Sequence, residues 1–69
     1  MIMIPVRSSN LVSVGYEPQS QTLRIQFRSG VYDYYNVPKL IYDGLMSASS
    51  HGQYHAKYIK NSFRFNKVA

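Results

Sequence analysis

Along the first half of the chain, hydrophobic and polar residues alternate with a period of two. In the second half they recur at helical spacing. Val12, Val14 and Tyr16 alternate against Leu11, Ser13 and Gly15, which predicts a strand over residues 11–16. Glu17-Pro18-Gln19-Ser20-Gln21 reads as a turn, because Pro18 has a preset backbone angle and no N–H for a ladder. A cleaner strand follows over residues 22–28, with Leu23, Ile25 and Phe27 on one face and Arg24, Gln26 and Arg28 on the other. Ser29-Gly30 supplies a two-residue loop, and the strand formers of residues 31–36 complete a hairpin.

A loop of Ser29 and Gly30 sets a register in which Arg28 faces Val31, Phe27 faces Tyr32, Ile25 faces Tyr34 and Leu23 faces Asn36. Tyr32 and Tyr34 then share the apolar face, whereas Arg24, Gln26, Asp33 and Tyr35 share the polar one. A slip of one residue would exchange the faces and drive Arg24 and Arg28 inward, which a small core does not tolerate. Tyr34 is therefore expected in the core and Tyr35 in solvent.

After Val37-Pro38 the rhythm changes: Leu40, Ile41, Gly44, Leu45 and Ala48 predict an amphipathic helix from Pro38 to about Ser47. The Ser-rich break of residues 47–52 offers Ser49 or Ser50 as the cap of a second helix, from about Gln53 to Lys60, with Tyr54 and Tyr58 inward and Lys57 and Lys60 outward. Phe63-Arg64-Phe65-Asn66 alternates, and the pattern fits either a short closing strand or a continued helix.

The chain has 69 residues and no cysteine, so one domain is expected, without a disulfide or thiolate-zinc staple. Total stability of about 5 kcal/mol is the expected ceiling for such a core. At 14% aromatic and 16% charged residues it is too apolar for a disordered tail. With no export signal and no long apolar run, the expected location is the cytoplasm, without membrane attachment.

Catalytic chemistry is poorly supplied. Glu17, Asp33 and Asp43 are the only acids and fall in different elements, and no serine sits in a G-x-S-x-G elbow. His51 and His55 have a metal-ligand spacing but lack a third ligand, so no metal, cofactor or enzymatic activity is expected. The charge is more telling. Of the net +5, residues 36–69 carry +4, and no acid follows Ala56. Lys57, Lys60 and Arg64 interleave with Tyr58, Phe63 and Phe65, the mixture with which nucleic-acid binders meet phosphates and stack on bases.

Pro5-Val6, Ser8-Ser9-Asn10, Val14-Gly15-Tyr16, Leu23-x-Ile25-x-Phe27, Gly30, Tyr32-x-Tyr34, Val37-Pro38, Tyr42, Ser50-x-Gly52-x-Tyr54 and Ile59 together resemble the KTSC domain family. That family is named for the C-terminus of some lysyl-tRNA synthetases and also occurs as free-standing small bacterial and phage proteins. The resemblance spans about residues 5–65 and implies, by association with a synthetase, RNA binding. This chain departs from the family at His55, where an aromatic is usual, and at Ala56, where Asn is common.

The expected fold is thus α+β: a single KTSC-like domain over residues 1–69, with a three-stranded antiparallel meander packed against two short helices and a candidate C-terminal strand. The expected function is a small non-enzymatic module binding nucleic acid, RNA ahead of DNA. Arg24, Arg28, Lys57, Lys60 and Arg64 are expected on phosphates and Tyr35 as the exposed ring. The rival is a protein-interaction module, such as a phage-encoded accessory or inhibitor acting on a host protein, with self-association through an open strand edge.

Overall fold

A computed structural model describes all 69 residues. The sheet has five strands in sequence order, every neighbouring pair antiparallel: β1 (Ile4–Pro5), β2 (Leu11–Glu17), β3 (Thr22–Phe27), β4 (Gly30–Tyr34) and β5 (Phe65–Lys67). Between β4 and β5 run α1 (Lys39–Ser47) and α2 (His51–Tyr54), the latter widening without a break into a π-helical turn over His55–Ile59. The closing strand therefore forms, and a two-residue strand at the other edge joins the expected meander. No helix is long and apolar enough to cross a membrane.

The hairpin register differs from the expected one by two residues. Phe27 pairs with Gly30, Ile25 with Tyr32, Arg24 with Asp33 and Leu23 with Tyr34, so the loop is Arg28-Ser29. A slip of two keeps every side chain on its face, and Tyr32 and Tyr34 do lie on the apolar side. Gly30 opens β4 instead of completing the turn. Its φ is +152°, and a Cβ there would come within 2.6 Å of Lys67 Cε and 2.9 Å of the Ala69 carbonyl oxygen. The glycine thus admits the returning C-terminal chain.

A second irregularity lies in β2, where the pairing shifts between Leu11 and Ser13. The extra residue changes which side chains point inward, so Leu11 joins Val14 in the core, buried at 1% and 0% exposure, while Val12 is only half-buried. Leu23, Ile25, Tyr34, Val37, Leu45 and Ile59 complete that core between sheet and helices. Tyr16 stacks on Tyr42 with centroids 4.8 Å apart and donates its hydroxyl to the Val37 carbonyl, tying the sheet to α1.

Asn36, at φ +57°, ends the strand geometry just before Pro38 starts α1. Ser50 caps α2 by accepting the Gln53 N–H at 3.2 Å, and α2 begins at His51, two residues earlier than expected. The His51 Nδ1 sits 2.8 Å from the Leu45 carbonyl, which also accepts the Ala48 N–H at 3.3 Å where α1 ends. In the π-helical turn the Lys60 N–H reaches the His55 carbonyl at 2.9 Å, and His55 and Ile59 are both buried.

Candidate nucleic-acid interface

Of the six residues singled out in sequence, only Tyr35 and Arg64 come together. Arg24, on the sheet face away from the helices, is engaged by Asp33 through a two-point pair, Nε to Oδ1 at 2.7 Å and Nη2 to Oδ2 at 2.9 Å. The pairing follows from the register, which sets Arg24 opposite Asp33 where Tyr35 had been expected. It holds the guanidinium pKa above its ordinary value, chiefly through the hydrogen bond to Asp33. Arg28, in the hairpin loop, donates from Nε to the Ser9 carbonyl at 2.9 Å and from Nη2 to the Ser8 carbonyl at 3.4 Å, clamping the loop before β2. Lys57 is exposed, with Nζ 5.3 Å from the Tyr58 ring centroid.

Tyr35 and Arg64 come together. The Tyr35 N–H donates to the Arg64 carbonyl at 2.9 Å, and both residues line a cavity of about 220 Å³ with Asn36, Phe65 and Asn66. Tyr35, expected as the exposed ring, is half-buried; the well-exposed rings are Phe65, at 52%, and Tyr58, at 44%, although Tyr58 was expected to point inward. Lys60 lies at a different cavity, of about 310 Å³, on the apolar face beside Phe65. Phe65 thus borders both.

The walls of this larger cavity are five aromatic rings in a closed circuit. Phe27 meets Tyr32 edge-on at 5.7 Å, Tyr32 lies 6.0 Å from Phe65, Phe65 5.6 Å from Tyr34, Tyr34 5.6 Å from His55, and His55 4.9 Å from Phe27. Pairing of Tyr34 with Phe65 across β4 and β5 brings the C-terminal ring into the circuit. At the back, the Tyr34 hydroxyl and His55 Nε2 are 2.8 Å apart, with both residues buried. Burial pushes the Tyr34 hydroxyl pKa up to about 12. Burial, helped by the nearby Lys60 charge, pushes the His55 imidazole below its ordinary value and keeps it neutral near pH 7. Lys67 lies opposite Tyr32, so a second lysine stands at this end of the sheet.

Phe27, Tyr32, His55 and Phe65 were not among the expected site residues. The alternation of Phe63 to Lys67 was the available signal, but only the β4–β5 register reveals which rings it meets. His51 and His55, four apart in sequence, turn to different partners. Ion pairs engage Asp33 with Arg24 and Asp43 with Lys39, which leaves six of the eight basic side chains and Glu17 to carry the net +5.

A small antiparallel meander crossed by two short helices, with an aromatic cavity at the open end of the sheet, defines the class. The chain belongs to the KTSC domain family, whose model matches residues 7–63. A KTSC domain protein from Yersinia pestis superposes with a TM-score of 0.97 at 39% identity, covering 99% of this chain and 97% of that one. A lysine–tRNA ligase of Nostoc sp. is 42% identical over 55 residues, 78% of this chain but 10% of the ligase. The chain therefore spans about a tenth of the length of that ligase. A protein of Tsukamurella paurometabola is 40% identical over 63 residues, covering 90% of this chain and 94% of its relative.

Proposed function

We propose that the protein is a non-enzymatic nucleic-acid-binding module, with RNA preferred to DNA. The observation that carries this reading is the meeting of exposed aromatic surface with unopposed positive charge: Phe65 stands between a cavity bordered by Lys60 and one bordered by Arg64. Rings stack on bases whatever their sequence, and lysine and arginine release counterions from phosphates. The preference for RNA draws on the lysine–tRNA ligases among the relatives, whose name specifies an RNA substrate. Arg24 leaves the phosphate-contact set because Asp33 engages it, and Arg28 supports the Ser8–Ser9 loop. Lys57, Lys60, Arg64 and Lys67 make up the contact set.

Titration of labelled single-stranded RNA at two salt concentrations tests this reading. Four phosphate contacts give a slope of about −3 in log affinity against log salt, so affinity should fall about fiftyfold between about 50 and 200 mM. The triple variant Lys57→Gln, Lys60→Gln, Arg64→Gln should stay folded, because all three side chains are exposed, and should lose most of that slope. Salt-independent affinity, or a folded triple variant binding RNA as the parent does, refutes the proposal and favours a protein partner.

A further inference from the structure

We propose that the five-ring cavity receives one unstacked base of single-stranded RNA, with Lys60 meeting the attached phosphate, so that the domain selects single strands over duplexes. This rests on the nucleic-acid reading and adds the occupant of a particular site. Rings that surround a cavity select a planar or a cationic guest. A cation is disfavoured here. Lys60 lines the cavity, no acidic residue does, and Asp33 lies on the opposite sheet face under Arg24. The guest that suits an aromatic wall beside a lysine is a neutral ring carrying negative charge on its substituent, the design of a nucleotide.

Size and polarity agree with this occupant. About 310 Å³ is at the small end of ligand pockets, enough for a single ring system. The wall keeps polar atoms without a protein partner: Tyr34 takes His55 Nε2, no protein group takes Nδ1, and Nδ1 is not among fully buried unpartnered atoms. A neutral imidazole donates from one nitrogen and accepts at the other, and the Tyr34 hydroxyl can play either part toward Nε2. Nδ1 can therefore meet a donor or an acceptor on a base edge, and the pocket should accept more than one base. Phe65, bordering both cavities, leads the backbone from Lys60 toward Arg64. A paired base cannot reach these walls without leaving its helix, which is the source of the single-strand preference.

The test uses a single-stranded RNA carrying one 2-aminopurine, and the same strand annealed to its complement. With the parent protein, stacking should quench the fluorophore in the single strand, and the duplex should bind at least about tenfold more weakly. Phe65→Ala, at a half-exposed position, should abolish quenching and weaken single-strand binding about tenfold while the salt dependence persists. Ser29→Phe, in the exposed loop lining the cavity, fills the mouth while keeping every charge and ring of the wall, and should do the same. Salt-dependent RNA binding without quenching, equal affinity for duplex and single strand, or full quenching in Ser29→Phe overturns the base pocket and leaves the nucleic-acid reading standing. If the parent shows no salt-dependent RNA binding, both fall together.

Discussion

Removing one oxygen atom tests whether the polar pair behind the cavity is a mutual dependence. In Tyr34→Phe the ring keeps its place, but His55 Nε2, 2.8 Å from the deleted hydroxyl, is left without a partner in a residue only 8% exposed. An unsatisfied buried polar atom costs about 1–3 kcal/mol, so a loss of about 2 kcal/mol is expected. His55→Phe leaves the Tyr34 hydroxyl stranded instead, in a residue 4% exposed, for a loss of similar size. The double variant removes both polar atoms and should cost under about 1 kcal/mol, giving a coupling energy of about 3 kcal/mol. On a total of about 5 kcal/mol, each single variant should melt about 10 °C lower. Urea unfolding followed by far-ultraviolet circular dichroism near pH 8, where His55 is neutral folded or unfolded, reads all four proteins on one scale. A Tyr34→Phe protein within about 0.5 kcal/mol of the parent, or a double variant worse than either single, would refute the mutual-dependence argument.

The depressed His55 pKa means that the unfolded chain takes a proton which the folded one resists, so its contribution to stability is intact above about pH 6.5 and declines as pH falls below that value. Urea midpoints between pH 7.5 and 5 should fall more steeply for the parent than for the Tyr34→Phe, His55→Phe double variant; parallel curves would show that burial of His55 is not the cause. At the alkaline end, Tyr34 with its pKa near 12 supplies stability that is lost as pH rises from about 10, and Tyr34→Phe should lack that component in alkaline melts. Gly44→Ala would ordinarily strengthen a helix by about 1 kcal/mol, but here the new Cβ falls on the Tyr54 hydroxyl and within 2.7 Å of its Cζ, so a net loss above about 1 kcal/mol is expected in thermal melts. Arg24→Gln leaves the Asp33 carboxylate, with its side chain 9% exposed, unpaired; about 1–2 kcal/mol of stability should go while RNA affinity stays within about twofold, and a larger affinity loss would return Arg24 to the contact set.

The face of each strand residue in the central hairpin was legible because the alternation of Leu23, Ile25 and Phe27 with Arg24, Gln26 and Arg28 allows one orientation only. Its register was not, because two registers two residues apart present identical faces and differ only in the loop. The deciding contact, Lys67 and Ala69 against Gly30, comes from the far end of the chain. The bulge at Val12 was hidden for a related reason: a bulge is fixed by the neighbouring strand, and the local pattern of residues 11–16 reads as an unbroken alternation. The second helix could be placed from its Ser50 cap, whereas the spacing of its aromatics misplaced Tyr58, which is exposed, and the π-helical turn leaves no local signature. For the candidate site, charge pointed to Lys60 and Arg64, which border the two cavities, since basic residues without acidic neighbours are visible in a string of letters. The ring circuit was invisible because its members come from β3, β4, the turn after α2, and β5.

That distribution also decides which substitutions speak about function. In a domain of 69 residues the cavity wall and the core are partly the same residues: Tyr34 belongs to the buried cluster, and Phe27 and Tyr32 pack against it. Truncating any of them lowers binding by lowering the folded fraction, whatever the ligand. The exposed residues bordering the same cavity, Ser29, Lys60 and Phe65, can change without breaking the core. His55 stands between these groups: its Nε2 serves the fold through Tyr34, and its Nδ1 has no protein partner. A change in binding from a His55 variant therefore reports on the site only when the Tyr34→Phe background has already removed the fold's demand on that ring. Measured in that background, His55→Phe should leave stacking in place and alter which base edges the pocket tolerates.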